Sequence, residues 1–348
     1  MKPAGGDAHA PLLAKHVIRS PSSCTTFVYF AYFVVKMLHR TPSVFIVLSL
    51  PLFPCLPWSS AAGINPSFRG LRIYARVPPM SETQYITRQG TNEKIAYQVS
   101  GSGEPLLFLH GLGADKSQTT SALTDLPNIQ LIAPDMLGHG ESLLTDQNST
   151  LNFDSFADDA IAILDQLGIE KANIGGLSMG SGISLNIALR YPDHINKLIL
   201  LRPSWLNEKK PAYLSLVAVA GKLIEQHGLE KGEAMLAENA DYQTLLTENE
   251  KVALSINGVF KRPQALTAAS VLYRMWEDSP FPNIESLTKI PHPIITLWTT
   301  RDELHPFNTA EKIANALPNN QSLTELPPRY YDPSTYTVAL RESVIGFL

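Results

Sequence analysis

The pentapeptide Gly176-Leu177-Ser178-Met179-Gly180 has the spacing of a turn that can carry a reactive serine. It follows a short strand-like run, Ala172 to Gly175, and it opens a stretch with helical spacing, Met179 to Tyr191. Gly-x-Ser-x-Gly between a strand and a helix is the pattern of a nucleophile elbow, a strained turn in which the glycines give the backbone room. A serine lifted off a sheet in this way can attack an acyl carbon. Ser178 is therefore a candidate nucleophile, whereas the same pentapeptide standing alone is more often an ordinary loop.

Two further blocks upstream have the same strand-then-turn form. The apolar run Pro105 to Leu109 is of strand length and ends at His110-Gly111-Leu112-Gly113. A second run, Ile129 to Ala133, leads into a turn that contains Gly138-His139-Gly140-Glu141-Ser142. The three blocks in this order are more specific than any one of them.

Together the three blocks resemble the α/β-hydrolase family, and the resemblance extends over roughly Gln84 to Leu348. It implies an α/β fold with a mostly parallel α/β-hydrolase sheet, helices on both faces and a helical cap inserted after the sixth strand. It also implies that the backbone N–H groups of Leu112 and Met179 bind the oxyanion. His110 and His139 occupy motif positions that usually hold loops together in this family.

A serine hydroxyl needs a base within hydrogen-bond reach and a third group that orients the base. The family places its carboxylate after the penultimate strand, and Asp302 fits this place; the alternative is a helix-capping or turn aspartate. The family places its histidine after the last strand, but here that stretch is Pro327-Pro328-Arg329-Tyr330-Tyr331-Asp332-Pro333, with Tyr330 about where the histidine should be. The usual triad is therefore incomplete.

The last histidine of the chain, His305, is the candidate replacement base. It follows Asp302 on the same edge of the sheet, and imidazole is suited to proton transfer near neutral pH. The alternative is that His305 caps or lines the start of the next helix.

Two classes of function follow from these residues. The first is a serine hydrolase that acts on an ester or related acyl bond of a small to medium substrate, with Ser178 as nucleophile, Asp302 as acid and His305 as base. The second is a catalytically weak or inactive member of the fold that binds a small apolar ligand under its cap. The intact elbow favours the first, and the missing terminal histidine favours the second.

The pattern of elements divides the chain into three parts. We expect an N-terminal extension over residues 1–79, an α/β-hydrolase core over residues 80–203 and 291–348, and a helical cap over residues 204–290. The cap segment shows no strand pattern, and helical spacing predicts helices over Tyr213 to Gln226, Gly232 to Ala240 and Pro263 to Trp276. Strand and helix patterns alternate in the core, which predicts a mostly parallel sheet.

The composition is that of an ordinary globular protein, with 348 residues of which 44% are hydrophobic and 17% charged. A net charge of -4 without Lys/Arg runs argues against nucleic-acid binding. Neither metal-ligand spacing nor a dinucleotide fingerprint occurs, so the sequence implies no cofactor and no metal. The partner it implies is a small-molecule substrate, and it leaves the oligomeric state open.

The N-terminal extension has features of a signal peptide, since basic His39-Arg40 precedes the apolar run Val44 to Phe53 and Ser59-Ser60-Ala61 offers a cleavage context. No apolar run in it reaches the roughly 20 residues of a membrane span. The alternative is that Met80 is the true start. The protein is then cytoplasmic, whereas a signal peptide makes it secreted. Both cysteines lie in this extension, so the hydrolase region has no thiol.

Overall fold

A computed structural model describes residues 82–348 of the chain. The expected signal peptide, the start at Met80 and both cysteines lie outside the described residues. In the described part, strands and helices alternate in the order that the sequence pattern predicts for the core.

Eight strands of the described chain form one sheet, in the order β1-β2-β4-β3-β5-β6-β7-β8. Strands β1 and β4 pair with β2 in antiparallel orientation, and every other pair of neighbouring strands in this sheet is parallel. The mostly parallel sheet that the sequence predicts is therefore confirmed. The strands are β1 Gln84–Thr87, β2 Lys94–Gly101, β3 Glu104–Leu109, β4 Ile129–Pro134, β5 Ala172–Leu177, β6 Ile195–Leu201, β7 Ile294–Thr299 and β8 Asn320–Leu326.

Helices cover both faces of this sheet. The central strands are mostly apolar, as expected for strands buried on both sides. In β3, Leu106 and Phe108 pack into one core with α1 and α9, whereas Leu107 and Leu109 pack into the other core with α2 and α3. The helices are α1 Lys116–Leu123, α2 Phe153–Gln166, α3 Met179–Arg190, α4 Ser215–Ala237, α5 Ala240–Glu248, α6 Glu250–Asn257, α7 Ser270–Trp276, α8 Phe307–Ala316 and α9 Pro333–Phe347.

The segment between β6 and β7 is helical, with α4 to α7 and no strand, as predicted for the cap. Its helices differ in their bounds from the predicted ones. Helix α4 runs through both of the first two predicted stretches, with a kink at Gly228, where φ is 76°. Helix α7 begins at Ser270 and not at Pro263.

Two cap helices, α5 and α6, were not predicted. Each begins at an asparagine whose side chain accepts a hydrogen bond from the first helical turn: Asn239 from the Tyr242 N–H and Asn249 from the Val252 N–H. Such caps satisfy N–H groups that a helix start leaves without partners. They separate helical pieces that helical spacing alone does not divide.

Candidate active site

Ser178 lies at the junction of β5 and α3, with φ 58° and ψ −112°. A non-glycine residue in this left-handed region is strained by about 1–3 kcal/mol, so the surrounding structure must hold it there. The Ser178 N–H donates to the Leu201 carbonyl at 2.9 Å, which ties the turn to β6. A Cβ on Gly176 would overlap the Gly180 backbone, and a Cβ on Gly180 would overlap the Leu109 carbonyl. Both glycines are therefore required by the close approach of backbone segments in a nucleophile elbow.

The Ser178 side chain borders a cavity of about 300 Å³ under the helical segment. Only 7% of Ser178 is exposed. The core contributes turn residues and the cap contributes apolar residues, so the cavity is formed jointly by the two. The walls include Gly111, Leu112, Gly113, Ser178, Arg202 and His305 from the core and Leu214, Val217, Ser255, Ile256 and Val259 from the cap segment.

Asp302 and His305 form a hydrogen-bonded pair in the turn after β7. The His305 Nδ1–H donates to Asp302 Oδ1 at 2.7 Å, and the His305 backbone N–H donates to the Asp302 carbonyl at 3.0 Å. Helix α8 begins after Pro306 with no side-chain cap. Neither side chain caps α8, but Asp302 does begin the turn before Pro306 and His305 does lie beside the start of the helix, so the turn and lining alternatives are as compatible with the structure as the predicted pair.

Arg202, at the end of β6, pairs with the same aspartate from the other side. Its Nη1 lies 2.6 Å from Asp302 Oδ2, and neither side chain has any exposed surface. Burial raises the pKa of the Asp302 carboxyl, but the nearby His305 and Arg202 outweigh burial and hold that pKa well below its ordinary value. Asp302 is consequently ionised at neutral pH. The sequence analysis did not identify Arg202 as the partner of Asp302. Its position at the end of a strand, on the sheet edge that also carries Asp302, is the feature of the sequence that indicates this role.

His305 has the protonation state that a general base requires. Burial lowers the pKa of its imidazole, and the attraction of Asp302 opposes this only in part. The neutral ring carries its proton on Nδ1, which faces Asp302. Its Nε2 makes no hydrogen bond to any residue of the described part, and the side chain borders the cavity. The free lone pair is therefore on Nε2.

The Ser178 hydroxyl is directed to a second serine. Its Oγ donates to Ser204 Oγ at 3.1 Å, and Ser204 Oγ donates to the Leu304 carbonyl at 2.9 Å. No hydrogen bond joins Ser178 to His305 in the described residues. The structure thus brings Ser178 and His305 to one cavity without forming the serine–imidazole contact. Ser204 was not singled out in the sequence.

The two predicted oxyanion donors lie beside the serine in sequence or in space. Met179 begins α3, and the first N–H groups of a helix have no partner within it. Leu112 lines the cavity. A Cβ on the neighbouring Gly111 would lie 3.5 Å from the Ser178 Cβ, and the Gly111 N–H is held by Gln118 Oε1 at 2.8 Å. In the described chain neither donor N–H has an acceptor, so both are available to a ligand.

His110 and His139 hold the two motif loops together. The His110 Nε2 accepts a hydrogen bond from the Met136 N–H at 3.0 Å, and the His139 Nε2 accepts one from the Gly113 N–H at 3.1 Å. Burial lowers the pKa of both rings, so they stay neutral and can accept. These contacts agree with the loop-holding role that the resemblance implies.

Tyr330, which stands where the family has its histidine, contacts the cap. Its hydroxyl donates to Ser255 Oγ at 3.2 Å, and the Lys251 Nζ donates to its carbonyl at 2.9 Å. The residue at this position therefore joins core and cap.

Residues 82–348 contain no helix long and apolar enough to cross a membrane. Over the same residues, no group of three or more His, Cys, Asp or Glu side chains could hold a metal ion. The polar side chains at the cavity are those of serine, histidine, arginine, glutamine, tyrosine and tryptophan, with Asp302 behind His305.

Residues 104–329 match the family model for the alpha/beta hydrolase fold. The chain belongs to this family. Lipase 1 of Psychrobacter immobilis is 24% identical over 288 residues, which cover 79% of the chain and 86% of the lipase. The 2-hydroxymuconate semialdehyde hydrolase of a Pseudomonas species is 37% identical over 106 residues, 29% of the chain and 37% of that hydrolase.

Solved structures agree with this assignment of the α/β-hydrolase fold. An esterase from Thermogutta terrifontis superposes with a TM-score of 0.59 at 23% identity, over 77% of the chain and 99% of the esterase. At this identity the likeness concerns the fold alone. The named relatives are lipases and hydrolases, and the family and the hydrolase class predicted from the motifs are confirmed.

Proposed function

We propose that this α/β-hydrolase is a serine hydrolase that cleaves an ester or related acyl bond of a small to medium substrate through Ser178. The observation that carries the proposal is the Asp302–His305 pair, joined at 2.7 Å, at the cavity that Ser178 also borders. An ionised carboxylate on Nδ1 and a free lone pair on Nε2 are what a base for serine needs. Asp302 and His305 are thus the proposed acid and base.

In the proposed reaction, rotation about the Ser178 Cα–Cβ bond turns the hydroxyl from Ser204 to His305 Nε2. Catalytic hydrogen bonds often tighten only when substrate is bound. Nε2 takes the hydroxyl proton as Oγ attacks the acyl carbon, and the carbonyl oxygen becomes an oxyanion. The imidazolium then gives its proton to the leaving alcohol as the carbon–oxygen bond breaks. Water, deprotonated by Nε2, then attacks the acyl carbon, and the imidazolium returns the proton to Ser178 Oγ as the bond to the serine breaks and the acid leaves.

Two groups stabilise the charges that develop in this reaction. The N–H groups of Leu112 and Met179 donate to the oxyanion, and one such donor is typically worth about a hundredfold to a thousandfold in rate. The ionised Asp302 stabilises the imidazolium of His305 and holds its tautomer. Arg202 keeps Asp302 ionised without touching the reacting atoms.

The proposal also divides the chain into a core of residues 80–203 and 291–348 and a cap of residues 204–290. The cap supplies the apolar walls of the cavity, whose volume of about 300 Å³ fits a small to medium substrate. The cap therefore selects the acyl or alcohol group.

A fluorophosphonate probe tests the proposed nucleophile directly. We expect the wild type to be labelled and Ser178→Ala to be unlabelled, with equal melting temperatures. His305→Ala should label at least a hundredfold more slowly, because general-base assistance contributes about 10² to 10⁴ in rate. His292→Ala, which changes an imidazole that bonds the Pro192 carbonyl at 2.9 Å, is the matched control and should label normally. Full labelling of His305→Ala excludes His305 as the base.

The second candidate function is binding of a small apolar ligand without turnover. The observation that favours it is the Ser178–Ser204 hydrogen bond of 3.1 Å, which holds the hydroxyl away from the imidazole. The absence of labelling in a folded wild type that still binds a short-chain ester would support this function over hydrolysis.

A further inference from the structure

Arg329 lies at the boundary between two cavities. One is the cavity of about 300 Å³ that Ser178 borders, and the other, of about 580 Å³, lies against α1 and α9. Arg329 is partly buried and lines both. The residues common to both walls are Ala114, Gln118, Leu177, Arg329 and Tyr330.

Arg329 has no salt-bridge partner among the described residues. In the described residues, no carboxylate lies within 4.0 Å of its guanidinium and its side chain makes no hydrogen bond, although the guanidinium carbon lies 5.3 Å from the Tyr330 ring centre. Arg202, in contrast, pairs with Asp302 at 2.6 Å. An arginine stays charged at neutral pH and carries five donors. Its charge and donors are thus available to a ligand.

The walls of the smaller cavity carry a net positive charge. They contain Arg202 and Arg329 and no acidic residue, and Asp302, behind the wall, balances the first arginine only. The walls of the larger cavity contain one acid, Asp115, whose carboxylate caps α1 through the Ser117 N–H. In the walls of the smaller cavity, which Ser178 also borders, one positive charge is therefore left over.

We propose that Arg329 is a substrate-binding residue that holds a carboxylate, so that the substrates are esters or related acyl compounds carrying a second, free carboxylate. The inference rests on the proposed hydrolase function. A guanidinium matches a carboxylate with two parallel hydrogen bonds, and a partly desolvated cation gains most from such a partner. The acyl group lies at Ser178, and the carboxylate reaches the boundary of the two cavities.

A matched pair of esters tests this inference. Mono-4-nitrophenyl glutarate and 4-nitrophenyl pentanoate have acyl chains of equal length, and only the first carries a carboxylate. We expect the wild type to prefer the glutarate half-ester in kcat/KM. Arg329→Gln should lower kcat/KM for the half-ester roughly tenfold to a hundredfold, which is the usual effect of losing a hydrogen bond to a charged group. It should change kcat/KM for the pentanoate ester less than about threefold.

Two further variants support the comparison. Arg329→Lys keeps the positive charge but loses the two parallel N–H donors of the guanidinium. Its kcat/KM for the half-ester should therefore lie between those of the wild type and Arg329→Gln. Lys209→Gln removes an exposed cation at the start of the cap segment and should behave as wild type. A wild type that prefers the pentanoate, or an equal loss of kcat/KM for both esters in Arg329→Gln, overturns the inference. The preference of the wild type between the two esters tests the inference even if Arg329→Gln does not fold.

Binding without turnover separates this inference from the proposed function. Monomethyl glutarate should bind to Ser178→Ala in a calorimetric titration and bind at least tenfold more weakly when Arg329→Gln is added. If the wild type hydrolyses neither ester but this difference in binding persists, the hydrolase proposal fails and the carboxylate site stands. If both esters are hydrolysed and the difference is absent, the carboxylate site fails alone.

Discussion

The Ser178 hydroxyl donates to Ser204 Oγ at 3.1 Å, while His305, at the same cavity, has no hydrogen bond to that serine in the described part of the chain. The serine at the elbow is thus held by a neighbour at the end of β6. This bond competes with the one that the proposed reaction needs.

Ser204→Ala should therefore increase reactivity. Removing one neutral hydrogen bond changes an equilibrium by about 0.5–1.5 kcal/mol, so we expect fluorophosphonate labelling and ester kcat/KM to rise by up to roughly tenfold. Ser255→Ala is the control, because it removes a hydroxyl from the same cavity that bonds Tyr330 and not Ser178. A fall in labelling rate for Ser204→Ala alone would mean that Ser204 assists the nucleophile.

The pH dependence of hydrolysis should show the lowered pKa of His305. The base acts when neutral, and it is neutral above its pKa, so activity is lost as pH falls through that pKa. Because burial lowers the pKa of His305, the acid limb of kcat/KM for a neutral ester should lie below pH 6.5. A profile from pH 4 to pH 8 measures this limb. A midpoint above pH 6.5 is the contrary result.

Arg202→Met should destabilise the fold strongly. It leaves the Asp302 carboxylate buried with only His305 beside it, and breaking a fully buried ion pair typically costs about 3–5 kcal/mol. Urea unfolding measures the loss. Lys210→Met, which removes an exposed pair with Glu277 at 3.4 Å, should change the free energy of unfolding by less than about 1 kcal/mol. An equal loss of unfolding free energy in the two variants would contradict the expectation that the buried ion pair stabilises the fold more than the exposed one.

Gly176→Ala tests the packing of the elbow. The new Cβ would overlap the Gly180 backbone, which cannot move aside while Gly180 itself packs on β3, so we expect a loss of about 3 kcal/mol or more. Gly346→Ala adds a methyl where nothing lies within 4 Å, in the last turn of α9, and should change stability by about 1 kcal/mol or less. Unfolding curves of the two variants give the comparison, and a near-neutral Gly176→Ala would show that the turn is adaptable.

The sequence predicted the elements that depend on neighbouring residues. The elbow was visible because Gly176 and Gly180 flank Ser178 directly, and backbone crowding at a tight turn is a local matter. The strands were visible because strands buried on both faces contain continuous apolar runs, as Leu106–Leu109 in β3 and Leu198–Leu201 in β6 do. The cap helices were predicted less well. Helices α5 and α6, which begin at the caps Asn239 and Asn249, were missed, and α5 buries only Tyr242, so it carries little apolar periodicity.

The sequence by itself thus determined the family, the order of the strands along the chain, the candidate serine and the nearness of Asp302 to His305, because these follow from short motifs and apolar runs and from the order in which they occur. Only the tertiary structure decided that Arg202 pairs with Asp302, that Ser204 holds the serine hydroxyl and that Arg329, at the boundary of two cavities, has no ion-pair partner among the described residues. These contacts join residues that are distant in the chain, and they form where the ends of parallel strands meet beneath the cap.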